Sequence, residues 1–222
     1  MRERPILFNM EMVKAILDGR KTCTRRVVKG YIPKDAEFGY TAFTPKGAIS
    51  CRGTFEIGYP GYGEKFIKLP YRRGDILYVR EPWQKAGLVD EFDHIIDGTE
   101  KYYYVAGPKA PCFDFWVDPE TGEHKDKMPW KPSIHMPKEA ARIWLKVTDV
   151  RVERLQDITE IGAINEGCID DIEYAKGKSA RNHFIGLWNR TIKKSDIDIY
   201  GWSANPLVWV VEFERCEKPG KG

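Results

Sequence analysis

A chain of 222 residues with 42% hydrophobic and 31% charged side chains has the apolar mass for a core, and its composition excludes fibrous and disordered classes. Its formal charge of +3 is too small by itself to mark a polyanion binder, and the longest late apolar run, Leu207-Val208-Trp209-Val210-Val211, is far too short to span a bilayer. The start, Met1-Arg2-Glu3-Arg4-Pro5, lacks the apolar stretch of a secretory leader, and five scattered cysteines without a CxxC read as free thiols in a reducing, cytoplasmic setting.

An aromatic content of 13% favours a sheet-rich fold, and 14 Pro and 20 Gly predict many turns. Pro5-Ile6-Leu7-Phe8 reads as a short first strand. Asn9 is placed to cap a helix carrying Met12, Val13, Ile16 and Leu17 on one stripe, with Gly19 as its stop. The chain returns as a strand over Thr22 to Val28. Residues 29–73, rich in Gly, Pro and Tyr, form a long and partly β excursion. The turn Arg73-Gly74-Asp75 ends it and leads into the strand Ile76-Leu77-Tyr78-Val79-Arg80.

Residues 84–135 form a second excursion, with hairpin strands at Lys101–Val105 and Phe113–Val117 and a turn at Asp118-Pro119-Glu120-Thr121-Gly122. In the strand that follows, Ile143, Leu145 and Val147 alternate. The parity then slips to Val150 and Val152, which predicts a bulge. Short helices are expected over Asp157–Glu166 and Ala180–Ile192, the second with Phe184, Leu187 and Trp188 on its apolar face. The closing strand, Leu207 to Glu214, is apolar on both faces at its start. No repeat, low-complexity tract or linker breaks residues 1–222, so one α+β domain with insertions at 29–73 and 84–135 is expected. Its first and last strands are too apolar for exposed edges, which predicts a closed or nearly closed small mixed β-barrel pairing the two ends.

Residues 1–34 hold nine basic groups against three acidic ones, and charge concentrated in this way attracts a polyanion even on a nearly neutral chain. The densest part is Gly19-Arg20-Lys21-Thr22-Cys23-Thr24-Arg25-Arg26, at the passage from helix to strand. Its Lys, Thr hydroxyls and three Arg suit a phosphate, a carboxylate or the polar edge of a base. On a regular strand Thr22, Thr24 and Arg26 share one face and Cys23 and Arg25 the other. Lys21 falls with the second set, and only its long stem would bring its amine round to Thr24. The same residues also fit a solvated strand whose threonines serve β-propensity alone.

The spacing of Gly19, Lys21 and Arg26 after an N-terminal helix resembles the Gly-x-Lys-x-x-x-x-Arg signature of ASCH domains, a branch of the PUA-like β-barrels. Many ASCH domains carry Glu where this chain has Thr24. Residues 19–26 are more similar to the Gly-Arg-Lys-Thr-x-Thr-x-Arg string of small bacterial N4-acetylcytidine amidohydrolases. Arg73-Gly74-Asp75-Ile76-Leu77-Tyr78-Val79 resembles the turn and strand of these domains. Leu155-Gln156-Asp157-Ile158-Thr159-Glu160, leading to Glu166, resembles their acidic helix, and Trp209-Val210-Val211-Glu212-Phe213 their last strand. Val79-Arg80-Glu81-Pro82-Trp83 and Pro132-Ser133-Ile134-His135-Met136-Pro137 look like a larger, phage-associated ASCH group.

The resemblance implies a PUA-like/ASCH small mixed β-barrel with flanking short helices and two long insertions. It also implies a basic pocket that binds nucleic acid or a modified nucleoside or nucleotide, with Arg20, Thr22, Arg25 and Arg26 as ligand contacts. One alternative is an amidohydrolase that removes an acyl group from an N4-acetylcytidine-like nucleoside. Thr24 would then be the nucleophile, Lys21 the base that a Thr hydroxyl needs, and Glu166 a proton donor or acceptor. A second alternative is a phage accessory protein without catalysis. Glu81 directly after a strand, Trp83 and Trp130 as stacking rings, and His135 complete the candidate set. No cofactor is implied. Cys112, His124 and His135 lack zinc-site spacing, and Gly58-Tyr59-Pro60-Gly61-Tyr62-Gly63-Glu64 lacks the Lys-Ser/Thr of a phosphate loop. Neither a metal nor a membrane is expected as a partner.

Overall fold

In the computed structural model, β1 (Glu3–Leu7) runs parallel to β6 (Ile76–Arg80), with Glu3 opposite Ile76 and Leu7 opposite Arg80. The structure describes residues 2–29, 37–39, 54–58, 65–68, 70–92, 94–106, 116–117, 121–125, 129–169 and 171–220, with 37–39, 54–58 and 65–68 described by their backbone. After β1 the chain turns at once into α1 (Met10–Leu17), because the Asn9 side chain accepts the Met12 N–H at 2.9 Å. Gly19, at φ 77°, takes the left-handed conformation that ends the helix. Val13 and Ile16 on its inner stripe are buried against Ile6, Phe8, Leu77, Leu145 and Val211.

β11 (Trp144–Arg154) lies antiparallel between β6 and β12 (Leu207–Cys216), and β12 is antiparallel to β2 (Cys23–Val27), giving the order β1-β6-β11-β12-β2. The parity slip read in β11 is a bulge: its register against β12 shifts between Val147 and Asp149. Thr148 is the extra residue, so Val150 and Val152 stay on the core side with Val147. The double apolarity of β12 has an equally direct cause. Leu207, Trp209, Val211 and Phe213 enter the core under α1, whereas Val208 and Val210 enter a second core with Leu155, Ile158, Ala163, Phe184 and Trp188. Burying each of these side chains contributes about 1.5–3 kcal/mol.

That second core is carried by α2 (Glu160–Asn165), capped by Thr159, and α4 (Ala180–Thr191), capped by Ser179. α3 (Asp171–Ala175) and α5 (Ile197–Tyr200) are short helices that the sequence pattern did not reveal. No helix among the described residues is long and apolar enough to cross a membrane.

The fold is mixed α+β, but the described strands do not close a barrel. β12 is an interior strand, and β1 and β2 stand at the two edges of an open sheet. The apolarity of the last strand comes from helices covering its second face rather than from a barrel interior. The two edges nevertheless meet through side chains. Arg26 Nη2, from β2, donates to the Leu7 carbonyl at the end of β1 at 2.7 Å, and its guanidinium lies 5.4 Å from the centroid of the Phe8 ring.

Within the first excursion, β3 (Glu37–Gly39), β4 (Thr54–Gly58) and β5 (Lys65–Lys68) form an antiparallel sheet. Within the second, the strand expected at Lys101–Val105 is β8 (Lys101–Tyr104). Its partner is β7 (Trp83–Ala86); of the other expected strand, 113–115 lie outside the described residues. β7 has no alternating pattern, since Trp83, Gln84 and Ala86 are all buried, which is why it went unread. β9 (Trp116–Val117) pairs instead with β10 (His124–Lys125) around the expected turn, where Gly122 has φ 71°.

Candidate functional site

The passage from α1 to β2 is fixed by backbone geometry. The Arg20 and Lys21 N–H groups both donate to the Ala15 carbonyl, at 2.9 and 3.0 Å, wrapping the chain over the helix end. Thr22 N–H donates to Asn165 O, and Lys21 forms an antiparallel bridge with Glu166, so the end of α2 is docked on the start of β2. Gly167, at φ 74°, permits this approach. A Cβ there would lie 2.7 Å from Ala15 Cβ and 2.9 Å from Lys21 Cβ. Only glycine tolerates both the dihedral and the space.

Docking α2 in this way buries Glu166 between two cations. Lys21 Nζ donates to Glu166 Oε2 at 2.8 Å and to the Glu166 carbonyl at 2.9 Å, and Arg25 Nη1 donates to Oε1 at 3.2 Å. The Arg25 side chain is 3% exposed. Its Nη2 donates to Glu153 Oε2 at 3.2 Å, and Arg151 Nε holds the other Glu153 oxygen at 2.6 Å. On the opposite face of β2, the Phe8 ring lies between the Lys21 amine, 5.5 Å from its centroid, and the Arg26 guanidinium at 5.4 Å.

Beside β2 lies a cavity of about 340 Å³. Thr24, Arg25 and Arg26 form one wall and Glu166, Gly167, Cys168 and Ile169 the floor. Asn9, Met12, Lys14 and Arg20 come from α1 and its end, while His183, Phe184, Leu187, Trp188, Arg190 and Thr191 come from α4. Positions 183, 187, 190 and 191 recur at helical spacing, so one face of α4 closes the cavity. Glu11 and Glu173 line the cavity as well, so Lys14, Arg20, Arg25, Arg26 and Arg190 face three carboxylates, of which Glu166 is already met by Lys21 and Arg25.

Burial dominates the titration of the surrounding groups. It pushes the Cys23 thiol up to about 12, with the Glu166 charge adding to the effect and Lys21 and Arg25 opposing it. The Cys168 thiol rises to about 12 for the same reasons. Burial also pulls the Arg26 guanidinium below its ordinary value, against the opposing influence of Tyr71 and Glu166.

The expected residues divide clearly. Thr24, Arg20, Arg25, Arg26 and Glu166 converge on the cavity. Pairing with β12 bears out the strand parity: Thr24 and Arg26 lie opposite Val211 and Trp209, and Arg25 lies opposite Val210 of the second core. Lys21 joins Arg25 on Glu166: its amine donates to two Glu166 oxygens and also lies 5.5 Å from the centroid of the Phe8 ring that Arg26 faces. It is not a lining residue. Thr22 is exposed beside the bridge.

Glu81, Trp83 and His135 lie elsewhere. Glu81 is fully buried in a two-pronged pair with Arg142, both contacts at 2.8 Å. Trp83 packs on Tyr102 in a third core with Tyr78, Met136 and Trp144. Trp130 packs against the Ala86 cluster, and His135 is exposed on a single helical turn, Ser133–His135. Cys112 and most of the 58–64 stretch lie outside the described residues. Among the described residues, no group of three or more His, Cys, Asp or Glu could hold a metal ion. Sequence reading missed Glu153 and the α4 wall. Phe184 and Trp188 read as core, which they also are, and the period shared by His183, Leu187 and Arg190 was the available signal.

No protein-family model, no curated protein and no solved structure matches the chain.

Proposed function

We propose that the chain is an ASCH-type, PUA-like binding protein that takes a nucleotide, free or within a nucleic acid, into the cavity between α1, β2 and α4. The observation that carries this reading is Arg25. Arg25 is a lining residue of the cavity, its two Nη groups are held by Glu166 and Glu153, and its buried Nε has no hydrogen-bond acceptor among the described residues. A buried donor left unmade costs about 1–3 kcal/mol, which a ligand oxygen or ring nitrogen would recover. Lys14 and Arg190 add positive charge around it, offset in part by Glu11 and Glu173, and Phe184 and Trp188 supply aromatic side chains in the α4 wall. A volume of about 340 Å³ falls in the range of small-molecule sites, about 300–1,000 Å³.

The test is retention of nucleotides and of acylated and methylated nucleosides, followed by titration of the best binder. Arg25→Ala is expected to weaken it by about ten- to a hundredfold, the value of a hydrogen bond to a charged group. Unchanged affinity in that variant, with the fold intact, would sink the reading.

A second reading, hydrolysis of an N-acylated nucleoside, is favoured by one arrangement: the Thr24 hydroxyl is on the cavity wall, and the Lys21–Glu166 pair is at the start of the same strand. It requires the Lys21 amine to exchange an acceptor on Glu166 for Thr24 when ligand enters. Mass loss of an acyl group that disappears in Thr24→Val would establish it, and retention without mass change would leave the binding reading.

A further inference from the structure

Arg4 on β1 and Arg26 on β2 carry positive charge that meets no carboxylate at ion-pair distance among the described residues. Arg4 Nη1 donates to the Pro70 carbonyl at 3.2 Å, and Arg26 Nη2 donates to the Leu7 carbonyl at 2.7 Å. By contrast Arg2 faces Asp75, Arg20 faces Asp18 and Arg142 faces Glu81. A guanidinium has five N–H donors, so one carbonyl leaves each of these two with spare donors and a full charge.

Tyr71 joins the two. Its hydroxyl donates to Pro5 O at 3.4 Å, on the same strand as Arg4, and its ring packs against the core beside α1. Arg4 bonds the carbonyl of the residue before Tyr71, and the Tyr71 hydroxyl and Arg26 take the Pro5 and Leu7 carbonyls, two residues apart on β1, so the three side chains meet along one strand. By strand parity Arg4 shares the Ile6 and Phe8 face of β1, and Arg26 lies over the Phe8 ring. Arg26 is also a lining residue of the cavity.

We infer that Arg4, Tyr71 and Arg26 form a phosphate-binding subsite continuous with the cavity, so that the partner is a single-stranded nucleic acid rather than an isolated nucleoside. This rests on the cavity reading above: one base enters beside Arg25, and a neighbouring phosphodiester crosses Arg26 to the β1 edge. A strand rather than a duplex suits the site, because a base set between α1 and α4 must be unstacked and turned out of the helix.

The experiment is calorimetric titration of the full chain with the four mononucleotides and with mixed-sequence RNA and DNA hexamers. Hexamers are expected to bind more tightly than any mononucleotide, and the RNA and DNA arms identify which strand is preferred. Arg4→Ala should weaken mononucleotide binding less than hexamer binding. It should weaken the hexamer about fivefold at about 0.1 M salt and flatten the slope of log K against log salt by about 0.7, the share of one phosphate contact on a single strand. Arg4→Lys should restore the slope.

The subsite is overturned if hexamers gain nothing over mononucleotides, or if Arg4→Ala weakens both alike. Mononucleotide binding that Arg25→Ala abolishes, with no gain on lengthening, removes the subsite and leaves the cavity reading in place. Hexamer binding that responds to Arg4→Ala but not to Arg25→Ala overturns the cavity reading and, with it, the continuity of the subsite with the cavity. Absence of binding in every arm removes both.

Discussion

The Lys21 ammonium and the Glu166 carboxylate meet at 2.8 Å with their side chains 0% and 5% exposed, and Arg25 holds the second carboxylate oxygen. Two charges removed from water in this way stabilise one another only while both are present. Glu166→Gln is therefore expected to cost about 3–5 kcal/mol, because it strands a buried ammonium. Adding Lys21→Met should return much of that loss, since an apolar side chain of similar volume needs no partner. Urea unfolding midpoints of the single and double variants check the order; a double variant less stable than Glu166→Gln alone would contradict it.

Gly167 and Gly177 form an internal control. Both have positive φ, 74° and 79°, yet a Cβ at Gly167 would collide with Ala15 and Lys21, while one at Gly177 has nothing within 4 Å. Gly177→Ala should cost only the left-handed backbone, about 1–2 kcal/mol. Gly167→Ala should cost clearly more and should also reduce ligand binding, since it pushes α2 and Glu166 away from β2. Thermal unfolding of the two variants decides it.

Alkaline stability follows from the thiols. Cys23 and Cys168 rise from 9.0 to about 12 through burial, so the folded state holds their protons more tightly than the unfolded chain does. Their contribution is complete below about pH 9 and is lost as pH climbs towards 12. The urea midpoint should fall across that window, and fall less steeply in the Cys23→Ala, Cys168→Ala double variant. Parallel slopes would contradict the assignment.

Glu81 has both oxygens on Arg142, whose guanidinium also lies 4.2 Å from the Tyr104 ring centroid. Arg142→Ala should destabilise by about 3–5 kcal/mol through the unpaired buried carboxylate. Arg142→Lys should recover only part, because an ammonium cannot hold both oxygens in a planar fork. Ligand affinity at the cavity should not change in either variant, which separates this cluster from the functional site.

Much of this arrangement was legible in residue order. Asn9 announced α1, the slip from Val147 to Val150 announced the bulge, and Leu207–Val211 announced a strand covered on both faces. The strand order was not legible, because an apolar face does not say whether a helix or another strand covers it; β12 was read as one seam of a barrel when α2 and α4 do the covering. The cavity was half legible. Local parity placed Thr24, Arg25 and Arg26, but Glu153 and α4 reach the site only through tertiary packing. Glu81 and Trp83 follow a strand just as binding residues often do, and their burial belongs to a separate core that short-range pattern cannot locate.

The interior position of β12 also sets when this fold can form during synthesis. Val27 pairs with Val208, and Arg215 Nη1 donates to Leu17 O across the length of the chain. While the nascent chain is still on the ribosome, α1 and β2 emerge early and wait, their apolar faces uncovered, for a strand translated almost two hundred codons later. Such distant pairings close slowly, so the sheet can assemble only after that strand has cleared the exit tunnel, and the waiting segments are natural clients for chaperones.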